Sequence, residues 1–180
     1  NRLMGKFPKR AATSNEEGHV HNLVRHIGGS VAARVFNSAA ISIPDNVITA
    51  LTFDSERYDN DTIHSPTVNT GRLTAQTAGK YRIWGTATWA ASPVNGAIYI
   101  RLNGATFIAR SQLVTDYRTM NLSATWDMVV GDYMELSVFQ NSGGALNIDV
   151  ASAMSPEFGM DRVGAAGQTV GGASGTNHGD

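Results

Sequence analysis

No cysteine occurs among the 180 residues, which excludes disulfides, thiolate metal sites and a cysteine nucleophile together. No apolar run approaches the roughly 18 residues that a helix needs to cross a bilayer, so a membrane-spanning helix is not expected. No charged-then-apolar leader opens the sequence, so no signal peptide is expected, and a start at Asn1 suits a cleaved chain or a fragment. The motifs of common chemistries are also missing. There is no G-x-S-x-G elbow, no phosphate loop and no dinucleotide fingerprint, and no enzyme is expected.

The charge that is present is unevenly placed. Residues 1–34 hold Arg2, Lys6, Lys9, Arg10, Arg25 and Arg34 against Glu16 and Glu17, a net +4, while the rest of the chain carries −5. A basic arm of this kind suits nucleic acid or an acidic protein surface, or is a solvated tail. Lys6, Phe7, Lys9 and Arg10 are a thin version of a single-strand-binding stretch, and the acidic body argues against a broad nucleic-acid surface. Arg2, Lys6, Phe7, Lys9 and Arg10 are therefore the candidate anchor residues of a protein-docking arm.

Three zones follow. Residues 1–31 show no sustained period, although Ser14 and Glu17 have capping-box spacing and suggest a short helix. Residues 32–163 read as all-β. YRIWGTATWA (81–90), IYIRLN (98–103), LSATWDM (122–128) and MELSVF (134–139) alternate, and Asn103-Gly104 is a strong hairpin turn. Turn signals recur at Ala78-Gly79, at Pro93 to Gly96, at Gly131-Asp132 and at Asn141 to Gly144. Residues 164–180 are rich in Gly, Ala and Ser and cannot build a core alone.

Two clusters invite a metal reading. FDSERYDND (53–61) packs four acids into nine residues, and Asp59 and Asp61 are candidate oxygen ligands for calcium. The EF-hand pattern is missing, and the competing expectation is a strand end at Leu51 to Phe53 followed by a polar loop in which Arg57 offsets the acids. His19, His21 and His26 lie close together, but four zinc ligands are not assembled. No metal or other cofactor is expected.

The β zone resembles the C1q/TNF-like jelly-roll family, in particular its phage and bacterial C1q-like modules. The residues that carry the resemblance are Phe53 and Asp59, then Leu73, Gly79 and Tyr81 in GRLTAQTAGKY (71–81), with GDYMELSVFQNSGGALNI (131–148) and SPEF (155–158) further on. Leu73 stands where the family usually has Phe, and His64 lies near a position that is normally aromatic or Leu. Apart from the family, Gly79 is expected to make a tight turn before Tyr81, whose hydroxyl needs a partner or an exit to water.

The resemblance implies a jelly-roll sandwich of two antiparallel sheets and a homotrimer built side by side. Trp84, Tyr99 and Phe139 fall opposite the apolar rows and are candidate inter-subunit contacts, the alternatives being partial exposure or cover by loops. The expected function is a phage virion structural protein on the particle's exterior. It would be a trimeric head decoration or fibre whose extended N-terminal arm docks on the major capsid protein or another virion component. The alternatives are a tail-fibre or spike tip, binding a host surface receptor through loops such as Ser92–Gly96 and Ser111–Arg118, and a secreted bacterial binding module.

Overall fold

A computed structural model describes residues 31–113 and 117–167. The anchor-arm candidates, the three clustered histidines and most of the Gly-rich tail lie outside the described residues. Twelve strands make up what is described: β1 (Ala32–Phe36), β2 (Ile41–Ile43), β3 (Thr49–Ala50), β4 (Ser55–Asp59), β5 (Arg72–Thr74) and β6 (Gly79–Thr88), then β7 (Gly96–Leu102), β8 (Thr106–Gln112), β9 (Thr119–Met128), β10 (Tyr133–Gln140), β11 (Leu146–Ile148) and β12 (Glu157–Ala165).

The first sheet has the order β4-β1-β12-β6-β9, and the second β3-β10-β7-β8 with β5 also on β10. A small β11-β2 ladder stands beside them. Every pairing is antiparallel.

Alternation explains why the sheets face each other. In β6, Tyr81, Ile83 and Ala87 are buried while Lys80 and Arg82 point to water. In β7 and β10, Ile98, Ile100, Met134, Leu136 and Val138 supply the opposing layer. Phe53 stacks on Phe158 at 5.7 Å between ring centroids, and Trp89 and Tyr81 are the largest side chains that the core encloses completely. Close approach between the sheets needs Gly85, because a Cβ there would run into the Leu136 side chain.

The turns match their chemistry. Asn103 and Gly104 both have positive φ and turn the three-residue loop between the paired Leu102 and Thr106, closed by an Ala105 N–H to Leu102 carbonyl bond of 3.1 Å. Gly131, at φ 93°, holds the third position of the 129–132 turn, where a side chain would be strained.

Two local expectations are corrected. The polar stretch after Phe53 is not a loop, because Ser55–Asp59 pairs with β1 as the edge strand β4. Its acids sit at a sheet edge, where charged side chains protect against unwanted pairing. Gly79 does not have positive φ. It opens β6 under the Arg162 side chain and the Gly164 backbone, which a Cβ would strike, so it serves close approach rather than a turn.

Antiparallel register also sets the two ends of the sandwich. Ala32 lies opposite Asp161, so β1 starts and β12 finishes at the same end. The loops after β1, β6, β8, β10 and β11 gather at the other end.

Candidate functional site

The outer face of the first sheet carries a built network of charge and aromatic rings. A bulge in the β1–β4 ladder leaves Arg57 without an opposite residue, and its guanidinium turns onto the sheet face. There it meets Glu157, which register places beside Phe36 and only 1% exposed. Arg57 donates to Glu157 Oε1 from Nη2 at 2.8 Å and from Nε at 3.1 Å, while Arg34 Nε donates to Oε2 at 2.6 Å. Arg34 also donates to the Ala153 carbonyl at 2.9 Å.

Each guanidinium is stacked as well as paired. Arg57 lies 4.0 Å from the Phe36 ring centroid, and Arg34 lies 5.4 Å from that of Trp84. Trp84 in turn lies over Gly159, where any Cβ would collide with the indole. Trp84, Arg34, Glu157, Arg57 and Phe36 thus form a continuous layer on the outer face of this sheet. Two cations share one carboxylate, so the layer keeps a positive surplus. That surplus suits an acidic or carbonyl-rich surface, and the half-buried indole suits apolar contact.

The other two contact candidates lie on the opposite side of the sandwich. Tyr99 and Phe139 project from the outer face of the second sheet, where Tyr99 pairs with Ser137 and Arg110. Tyr99 is only 9% exposed because its own chain covers it, with Phe107 edge-on at 5.1 Å and Arg110 at 5.7 Å. Phe139 remains half-buried. A cyclic trimer uses two different surfaces of each subunit. Trp84 lies on the outer face of the first sheet, and Tyr99 and Phe139 on that of the opposite sheet.

The acids of FDSERYDND all have structural surroundings. Asp54 accepts from the Ser38 hydroxyl at 2.5 Å, the Ser38 N–H at 2.9 Å and the Ser55 hydroxyl at 2.8 Å. The Ser38 hydroxyl bond, partly opposed by desolvation, holds the Asp54 carboxyl below its ordinary range. Glu56 meets His64 Nδ1 at 2.9 Å, and His64 Nε2 donates to the Thr70 carbonyl at 3.1 Å, so a fully buried imidazole ties the loop after β4 to the sheet edge.

Asp59 accepts from the N–H groups of Asp61 and Ile63 at 3.0 Å and of His64 at 2.8 Å. Its oxygens cap the loop after β4. Asp61 Oδ2 is buried with no hydrogen-bond partner, and among the described residues no group of three or more His, Cys, Asp or Glu could hold a metal. The Tyr81 hydroxyl finds its partner in the Thr77 carbonyl at 2.6 Å, and burial pushes its phenol above the ordinary value.

At the end opposite the chain's entry, the loops named for receptor binding do come together. Ser92 Oγ donates to the Tyr117 carbonyl at 3.2 Å, Arg118 Nη1 to the Ala90 carbonyl at 2.7 Å, and Asn95 Nδ2 to Asn141 Oδ1 at 2.9 Å. Val94 and Tyr117 stand 77% and 69% exposed on this cross-tied rim. Sequence reasoning missed the Arg57 and Glu157 partnership. They are 100 residues apart, and no local pattern marks a bulge that swings one side chain across a strand.

No family model and no curated protein matches the sequence. Solved structures do match. Murine APRIL at pH 5.0 aligns with a TM-score of 0.58 and 8% identity, covering 75% of this chain and 100% of that one. Eiger TNF from S. frugiperda aligns at 0.51 and 14% identity, covering 78% and 96%. The globular domain of zebrafish complement 1qA aligns at 0.50 and 14%, covering 74% and 94%. With the two facing antiparallel sheets, these alignments show that the chain has the C1q/TNF-like jelly-roll fold.

Proposed function

We propose that the chain is a structural protein of the phage particle, a homotrimeric jelly roll displayed on the exterior and anchored to the capsid or another virion component by residues 1–31. One observation carries this reading. β1 begins and β12 ends at the same end of the sandwich, and the cross-tied loops crowd the other. A module tethered at one end leaves the other facing outward. The net +4 of residues 1–34 suits attraction to an acidic surface, and three arms held together bind more tightly than one.

The homotrimer follows from the resemblance to the C1q/TNF-like family. On this reading the first sheet's outer face is a subunit contact, since Trp84 sits half-buried on a layer already fixed by Glu157. Deleting residues 1–31 is expected to leave a soluble trimer by light scattering and to abolish incorporation into particles. Full loading of the truncated protein, or a monomeric mass at micromolar concentration, overturns the reading.

A second reading, a fibre or spike tip for a host surface receptor, rests on the exposed rim of Val94 and Tyr117. Beside it lies a groove of about 320 Å³ lined by Ser111, Tyr117, Met120 and Asn121 among others. Soluble protein that blocks adsorption of particles to cells, and fails to do so as Tyr117→Ala, is the outcome this reading expects.

A further inference from the structure

Near the end where the chain enters lies a groove of about 430 Å³, a volume within the range of small-ligand sites. One wall is the loop after β4, and the other is β5 with Tyr133 of β10. Among the described residues Arg72 brings the one guanidinium to this groove, and it is held in place on two sides. Its Nε donates to Glu135 Oε1 at 3.2 Å, and its Cζ lies 4.1 Å from the Tyr133 ring centroid. Glu135 is itself buried and so makes a fixed support.

The two terminal nitrogens of Arg72 make no hydrogen bond among the described residues. They form the paired end of the fork, the edge that takes a carboxylate with two parallel bonds. A guanidinium held from behind loses little freedom when an anion arrives at its free edge.

The charge balance permits an anion. Register places Arg72, Glu135 and Arg101 in one cross-strand row, so two cations flank one carboxylate. Asp132, the nearby acid of the adjoining turn, spends its two oxygens on Asn103 Nδ2 and the Val129 N–H. His64 lines the groove, but its ring nitrogens are both committed to Glu56 and Thr70 of its own chain. The one accessible cation among the described lining residues fits one negative group.

Apart from Arg72 and His64, the described lining carries no charged side chain and is rich in hydroxyl and amide groups. The Asn69 side chain is exposed and makes no hydrogen bond among the described residues, and Gln76 uses only its Nε2, on the Thr62 carbonyl at 3.0 Å. Thr74 adds a hydroxyl, and Val68, 64% exposed, adds an apolar contact. A single fixed cation surrounded by neutral hydrogen-bonding groups matches a polyhydroxylated ring that bears one carboxylate. We propose that this groove binds a sugar acid, with Arg72 taking the carboxylate and Asn69, Thr74 and Gln76 taking ring hydroxyls. The proposal does not depend on the virion reading.

The test uses the full chain with glucuronate, glucose, acetate and inorganic phosphate as probes, followed by saturation-transfer NMR and calorimetric titration. Glucuronate is expected to bind saturably. Glucose, which lacks the carboxylate, is expected to bind at least about tenfold more weakly, as is glucuronate to Arg72→Gln, the loss of a charged hydrogen-bonded pair. Arg72→Lys keeps the charge without the paired edge and is expected to fall between the two.

Melting curves check that the variants fold. Because Arg72 also supports Glu135, Asn69→Ala provides an independent arm that leaves that pair intact, and a drop of at least about threefold is expected. No saturable glucuronate binding, equal binding by glucose, or wild-type affinity in both Arg72→Gln and Asn69→Ala overturns the proposal. Acetate or phosphate binding as tightly as glucuronate also overturns it, because the groove would then recognise an anion without the sugar.

Discussion

Replacing Glu157 by Gln tests whether one buried carboxylate holds the outer face of the first sheet together. Glu157 is 1% exposed and accepts three hydrogen bonds from Arg34 and Arg57, at 2.6, 2.8 and 3.1 Å. Breaking a buried ion pair from one side costs about 3–5 kcal/mol, chiefly because the surviving charge is stranded. Here the stranded charges are two guanidiniums whose side chains remain 33% and 35% exposed, so water recovers part of the loss. Gln also keeps one acceptor oxygen. The expected destabilisation is therefore below that range, about 2 kcal/mol.

Urea unfolding at a fixed protein concentration measures it, since assembly shifts the midpoint by mass action. With a slope of about 2 kcal/mol/M, the midpoint falls by about 1 M. A double-mutant cycle with Arg57→Leu isolates the pair, and coupling of at least about 1 kcal/mol is expected. A loss below about 0.5 kcal/mol, or strict additivity in the cycle, would refute the argument that this network organises the face.

The remaining predictions concern the core, the capped loop and the buried phenol. Phe158→Ala removes the ring stacked on Phe53 and should cost about 3–5 kcal/mol by denaturant unfolding. Asp59→Ala orphans three backbone N–H groups and should cost about 2–4 kcal/mol, while EDTA leaves the wild-type melting temperature unchanged; a large drop on chelation would restore a cation at Asp59 and Asp61. Tyr81 has its folded pKa raised by burial, so its contribution is present below the unfolded value near pH 10 and is lost as pH rises through the folded one. Tyr81→Phe should therefore flatten the fall in stability above about pH 10 in unfolding curves taken across that range.

Much of the fold was legible because alternation is a local signal. The rows through Tyr81, Ile98, Leu122 and Met134 became β6, β7, β9 and β10 facing one core, although Trp126 of the Leu122 row stands 40% exposed. Asn103-Gly104 made its hairpin because positive φ is a property of those two residues. FDSERYDND was misread for the complementary reason. Its acids suppress an apolar pattern, yet an edge strand such as β4 needs only backbone pairing on one side and carries charge on the other. Trp84 was singled out as outward-facing by parity, and it is, but parity says nothing about what else reaches the same face. Tyr99 had the same parity and is covered by Phe107 and Arg110 from a neighbouring strand.

The sequence by itself determined the class of structure. Period-two patterning, regular turns and the absence of cysteine are visible residue by residue and need no partner. Only the tertiary structure decided which charges meet. Glu157 under Arg34 and Arg57, Asp59 over the loop at Asp61 to His64, and Arg72 braced by Glu135 depend on antiparallel register and one bulge. A one-residue slip of any of these strands would turn the same side chains to the other face. That is why these charge networks could not be read before the sheets were assembled.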